Sequence, residues 1–166
     1  MTDVRSVRRL TLAVAATVVV LDAITKALAV QFLTGRGTVS VLGGALRLQL
    51  YRNFAGPRNT FEGHPVLVSL MAVAAVAAIA VMATRVRTPA GALAVGLLLG
   101  GGLGNLVDRL LRAPGPLRGG VVDWLRPGWS TGSMNLADLA ITAAILVTVV
   151  SAAASRRSRR RIALVP

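Results

Sequence analysis

Four stretches of the chain, roughly residues 10–33, 65–83, 89–111 and 136–154, are runs of Ala, Val, Leu, Ile and Gly near the ~20 residues that a helix needs to cross a bilayer core. Each begins or ends near Pro, Gly or Arg. No other feature limits the fold so strongly, because backbone groups in hydrocarbon must hydrogen-bond within their own segment. With 54% hydrophobic and only 15% charged residues, and a mean hydropathy of +0.68, the 166-residue chain reads as a single integral membrane domain. The start, MTDVRSVRRLTLAVAATVVVLDAITKALAV, has the basic-then-apolar order of a signal peptide. Its apolar run is too long and lacks a clear small-x-small cleavage site, so it reads as an uncleaved anchor.

Four crossings place both ends of the chain on one side. The basic residues before the first span, the link TRVRT (84–88) and the basic tail 155–166, SRRSRRRIALVP, then share that side, and the positive-inside pattern makes both termini cytoplasmic. The other side carries Arg36, Arg47, Arg52, Arg58, Arg112, Arg118 and Arg126, within two longer outer segments, about 34–64 and 112–135, that fold against the membrane surface. In the first, LRLQLYR alternates: Leu46, Leu48 and Leu50 on one face, Arg47, Gln49 and Tyr51 on the other, as in an amphipathic strand. In the second, GVVDWL has the β-branched and aromatic bias of a short strand. The expected architecture is a mainly α membrane fold, four transmembrane helices beneath a small extracytoplasmic β-sheet, or cradle.

A net charge of +13 raises nucleic acid as a partner, but the arginines sit at the ends of apolar segments and aromatics make up only 4% of the chain. Membrane lipids, and anionic headgroups at the tail in particular, fit that distribution better. Without cysteine, and with His64 as the single histidine, the chain has no disulfide framework, no thiolate metal site and no histidine cluster. Neither a metal nor a cofactor is expected.

The six acids are Asp3, Asp22, Glu62, Asp108, Asp123 and Asp138. Three, Asp22, Asp108 and Asp138, fall in or at the margin of spans, where an ionised group costs from about 2.5 kcal/mol upward and needs a partner or a purpose. Asp22 stands four residues before Lys26, the only lysine, at ion-pair spacing. Asp108 has Arg109 beside it and Arg112 four residues on, with Asn105 one turn earlier. Asp138 follows Asn135 by three in MNLAD, which resembles an N-cap with an acid in the first turn. Asp123, inside VVDWL, has no basic residue within two positions on either side. Glycines 96, 100 and 104 line one face of the third span, a pattern for close helix approach; a G-x-G-x-x-G reading fails at Val107.

If Asp123 and Asp138 meet at the outer boundary, the two carboxylates share a proton, one serving as acid and the other as base. Such a pair hydrolyses an amide through water, with no side-chain nucleophile and no metal. Asn53, Asn105, Arg109 and Asn135 would supply donors around it. A Ser-His-Asp arrangement through His64 with Ser69 or Ser133 has no support in spacing.

GGLGNLVDRL (101–110), GVVDWL (120–125) and MNLADLAI (134–141), in that order, together with LDAITKALAV in the first span, resemble the lipoprotein signal peptidase, or signal peptidase II, family. The resemblance runs from the first to the fourth span and implies four helices, Asp123 and Asp138 as the catalytic pair, and Asp108 outside it. It also implies that Asn53, Gly101, Asn105, Arg109 and Asn135 bind or position substrate, with Asp22, Lys26 and Asp108 as structural polar residues. The implied reaction is removal of the signal peptide from diacylglyceryl-prolipoproteins, just before the lipidated cysteine, at the outer face of the bacterial cytoplasmic membrane, by a monomer. One segment departs from the family's Arg-Asn-x-Gly-Ala-Ala-Phe: RNFAGPRNTF (52–61) moves the glycine to Gly56, with Pro57, Arg58 and then Phe61. That departure motivates a rival reading as a relative that binds lipid or lipoprotein without cutting it. A third reading is a transport or scaffold subunit with Asp22, Lys26, Asp108 and Arg109 as a polar path.

Overall fold

The structure, a computed structural model, describes residues 3–56 and 59–162, with side chains to residue 157; Pro57, Arg58 and the last four residues of the basic tail lie outside the described residues. Its elements are α1 (Val4–Leu33), β1 (Val39–Val41), β2 (Leu46–Asn53), α2 (Pro65–Arg85), α3 (Pro89–Leu111), β3 (Val121–Pro127) and α4 (Leu136–Ile162). All four helices are long and apolar enough to cross a membrane.

Helix bounds follow local chemistry. Helix α1 starts six residues before the expected apolar run because Asp3 caps it, its Oδ1 accepting from Arg5 N at 3.1 Å. Pro89 and the Thr88 hydroxyl, which accepts from Gly91 N, open α3 where expected. Helix α4 runs past the expected end near residue 154 and carries much of the basic tail as helix, as Ala and Arg favour.

Helix α3 is the hub, packed on α1, α2 and α4. Its glycines permit this. A Cβ at Gly100 would lie 2.6 Å from Val18 Cβ, and one at Gly96 would lie 2.8 Å from the Thr11 carbonyl oxygen, both on α1. At the next turn, Gly104 faces the Asp22 carboxylate at 2.6 Å from its absent Cβ.

The outer segments form an antiparallel three-stranded sheet, β1-β2-β3. The short edge strand β1 has no counterpart in the sequence reading. Strand β2 covers the expected alternating segment, but its register shifts by one residue between Leu48 and Tyr51, so Leu48 pairs with Leu125 while Tyr51 pairs with Asp123. The strict alternation therefore does not give one buried and one exposed face along β2. Past the shift, Asn53 lies opposite Val121, beside Asp123.

Candidate active site

Asp138 stands in the first turn of α4. Asn135 Oδ1 accepts from Asp138 N at 3.0 Å and Asp138 Oδ2 accepts from Asn135 N at 3.1 Å, a reciprocal cap that fixes the carboxyl group. Its other oxygen, Oδ1, accepts from Asn105 Nδ2 on α3 at 2.9 Å. The same helix end is held from below, where Ala137 N donates to Asp22 Oδ1 at 2.9 Å.

Asp123 is 1% exposed and also accepts two amide donors: Asn135 Nδ2 on Oδ1 at 2.7 Å and Asn53 Nδ2 on Oδ2 at 3.2 Å. Asn135 thus donates to both acids, through its backbone to Asp138 and through its side chain to Asp123. Burial, and then the charge of Asp138, push the Asp123 carboxyl up to about 7, against the lowering effect of the Asn53 and Asn135 hydrogen bonds. Folded Asp123 holds its proton more tightly than the unfolded chain, so its contribution is full below the ordinary value of 3.8 and is lost as pH rises to about 7. Thermal unfolding in detergent should show falling stability across that window, and Asp123→Asn should flatten the fall.

The strand carrying Asp123 is pinned by Asp108. Its Oδ2 accepts from Val122 N at 3.0 Å, and its Oδ1 takes the Arg112 Nε. Asp108 also meets Lys26 Nζ at 3.0 Å, and Lys26 meets Asp22 Oδ2 at 2.6 Å. The expected Asp22–Lys26 and Asp108–Arg112 pairs are both present. What the sequence reading missed is that Lys26 joins them and also donates to Asn105 Oδ1 at 3.0 Å and to the Gly104 carbonyl at 3.3 Å. Asn105 Oδ1 accepts from Asn135 Nδ2 as well, at 3.0 Å. An unbroken polar chain therefore runs from the buried charges to the two acids.

Arg109, expected beside Asp108, makes no ion pair with it; it turns toward a cavity of about 280 Å³ lined by Asn53, Asn105, Arg109, Asp123, Ser133 and Asp138, with Gly56, Val121 and Met134. Arg109 is 5% exposed, and its Nη1 is buried with no hydrogen-bond partner among the described residues, a donor held ready at the wall. Asn135 lies behind the two acids and is fully buried. Gly101 is elsewhere. It packs against α4, where a Cβ would lie 2.6 Å from the Ala137 carbonyl oxygen, so the close approach it permits is that of a helix. His64 is exposed ahead of α2, and the buried Ser69 hydroxyl is donated to backbone carbonyls of Pro65 and Leu117. Ser133 lines the cavity but takes its hydrogen bond from Gln49 Nε2 at 2.9 Å.

At the departing segment, Gly56 N donates to Asn53 Oδ1 at 2.9 Å, and Gly56 has φ +75, a conformation that suits glycine. The turn holds the Asn53 amide so that its Nδ2 reaches Asp123. The displaced glycine therefore still serves the site. Pro57 and Arg58 lie outside the described residues.

Two amide-bridged acids at the mouth of a membrane helix bundle suit water-mediated hydrolysis. Among known proteins, the profile of the signal peptidase (SPase) II family matches residues 14–154. The chain belongs to the signal peptidase II family. Signal peptidase II enzymes are aspartic peptidases and multi-pass membrane proteins. The chain is 43% identical to the lipoprotein signal peptidase of Mycobacterium avium (strain 104) over 144 residues, 86% of this chain and 79% of that one. It is 38% identical to the lipoprotein signal peptidase of Bifidobacterium longum (strain DJO10A) over 137 residues, 82% of this chain and 74% of the relative. A bacterial membrane enzyme solved by the in meso method at 2.3 Å resolution shares the fold, with a TM-score of 0.74 at 21% identity over 88% of each chain.

Proposed function

We propose that this signal peptidase II removes the signal peptide from diacylglyceryl-modified prolipoproteins by cutting the bond just before the lipidated cysteine, with Asp123 and Asp138 as the catalytic pair. The observation that carries it is the shared Asn135, which donates to both acids where they line one cavity. The charged member takes a proton from water, whose oxygen bonds to the scissile carbonyl carbon, while the neutral member gives its proton to the carbonyl oxygen. The tetrahedral intermediate collapses when the acid that took the water's proton gives it to the leaving nitrogen, the other carboxylate takes a proton from a hydroxyl of the intermediate, and the C–N bond breaks. Arg109 and Asn105 hold the substrate carbonyls, in a site where burial strengthens each hydrogen bond.

The lipid chains lie between helices, and the scissile bond comes to the acids at the outer surface. The protein works as one integral membrane unit in the bacterial cytoplasmic membrane, a monomer with membrane lipids around it. The TRVRT link between α2 and α3, the start of α1 and the end of α4 lie on the cytoplasmic side. Purified enzyme in neutral detergent should cleave a diacylglyceryl prolipopeptide to give the lipidated-cysteine N-terminus, and should leave the same peptide without lipid uncut at matched concentration. Mass spectrometry of the products decides it: cleavage elsewhere, or equal cleavage of both peptides, would sink the reading.

A further inference from the structure

Beside the cavity that holds the two acids lies a larger groove of about 990 Å³, and the two share Asn53, Gly56 and Ser133 as wall residues. A peptide held at the acids and extended across that shared wall would enter the groove. Its lining is polar, with Gln49, Tyr51, Ser130 and Thr131, and among the described residues it holds no acid and Arg126 as its one charged residue. Arg126 Nε is buried and has no hydrogen-bond partner among the described residues. The residue directly across from it on β2 is Arg47, another cation where an acid would ordinarily sit, and like charges placed so destabilise a sheet. Neither arginine takes part in any ion pair among the described residues. A buried guanidinium N–H with no partner, a second cation opposite it and no carboxylate in the wall, all among the described residues, make the groove electrostatically suited to an anion.

We infer that this groove takes the first residues of the mature chain and that Arg126 selects an acidic side chain among them. The inference rests on the proposed cleavage and adds a preference to it. An extended peptide offers its backbone to the amide and hydroxyl groups of the wall, and one Asp or Glu carboxylate accepts from the guanidinium.

The test uses full-length enzyme in neutral detergent and a set of diacylglyceryl prolipopeptides that carry Asn, Asp or Lys at each of the first few positions after the cysteine. At one position Asp should raise kcat/KM over Asn by about tenfold. Arg126→Gln should bring that ratio close to one, and Arg126→Glu should reverse it in favour of Lys. A ratio between two peptides does not depend on how much enzyme is folded, so weaker folding of a variant does not mimic the result. Arg36→Gln, at an exposed arginine outside the groove, should keep the wild-type ratio. Equal cleavage of the Asp and Asn peptides at every position, or a preference that survives Arg126→Gln, overturns the inference while leaving the cleavage itself intact. Rates that follow phosphatidylglycerol content through Arg126, with no dependence on peptide charge, also overturn it, because the groove then serves a lipid headgroup. If none of the peptides is cut, the proposed function fails and the preference falls with it.

Discussion

Asp123→Asn is expected to remove prolipoprotein cleavage, with a loss of at least about 10⁴-fold in kcat, the scale seen when a member of a catalytic set is deleted. The substitution is close to isosteric, and its carbonyl oxygen can still accept from Asn135 Nδ2. The new amide nitrogen would face Asn53 Nδ2, donor against donor, which costs one hydrogen bond of about 1 kcal/mol. The variant should therefore insert and fold, and a retained thermal transition in detergent at neutral pH is the control. Asp138→Asn should lose cleavage to a similar degree and suffer more in stability. Both Asp138 oxygens accept hydrogen bonds, one from Asn105 and one from the Asn135 backbone at the cap of α4, and an amide can satisfy only one. Lipopeptide binding retained by both inactive variants would separate loss of chemistry from loss of the site. Near-wild-type cleavage by Asp123→Asn would end the assignment, and cleavage absent from the wild type with binding intact would favour the binding-only relative.

What the sequence discloses here depends on how far apart the partners lie along the chain. Pro89 and Arg112 bracket α3 within a residue because proline and arginine act on the turn they occupy. The Asp22–Lys26 and Asp108–Arg112 pairs are equally legible, since an i,i+4 spacing on a helix is itself a contact. The bond from Lys26 to Asn105 spans 79 positions and leaves no periodic trace. Only the packing of α1 against α3, made possible at Gly96, Gly100 and Gly104, brings those side chains together. The register shift in β2 was hidden for a different reason: alternation of Leu with polar residues reports a face, whereas a bulge is a property of the pair of strands. Gly101 shows the limit of a motif. The resemblance suggested a substrate contact for it, but which neighbour a glycine admits depends on the helix face, and that face meets Ala137 and Ile141 of α4. Asp123 was conspicuous because it lacked a cation nearby, and the structure gives it amides instead.

Lys26→Met should destabilise the protein by roughly 3–5 kcal/mol, the usual cost of removing one partner from a buried ion pair. Lys26 and Asp22 are each 1% exposed, and without the ammonium the Asp22 carboxylate keeps, among the described residues, only the Ala137 backbone donor. Asp108 fares better because Arg112 remains. The asymmetry makes a second variant informative: Lys26→Met combined with Asp22→Asn removes the stranded charge, and thermal unfolding in detergent should recover a large part of the loss. Recovery of stability is not expected to restore the rate. Lys26 is also a donor to Asn105 Oδ1, and that contact sets which end of the Asn105 amide faces Asp138. Without it the amide is free to turn, and Asn105 Oδ1 would then face an Asp138 oxygen that needs a donor. The double variant should therefore fold yet cleave more slowly, with kcat falling more than KM changes. An unfolding temperature for Lys26→Met equal to wild type would show that the three charges do not bear on folding. A double variant that cleaves at the wild-type rate would show that Asn105 needs no help to keep its orientation.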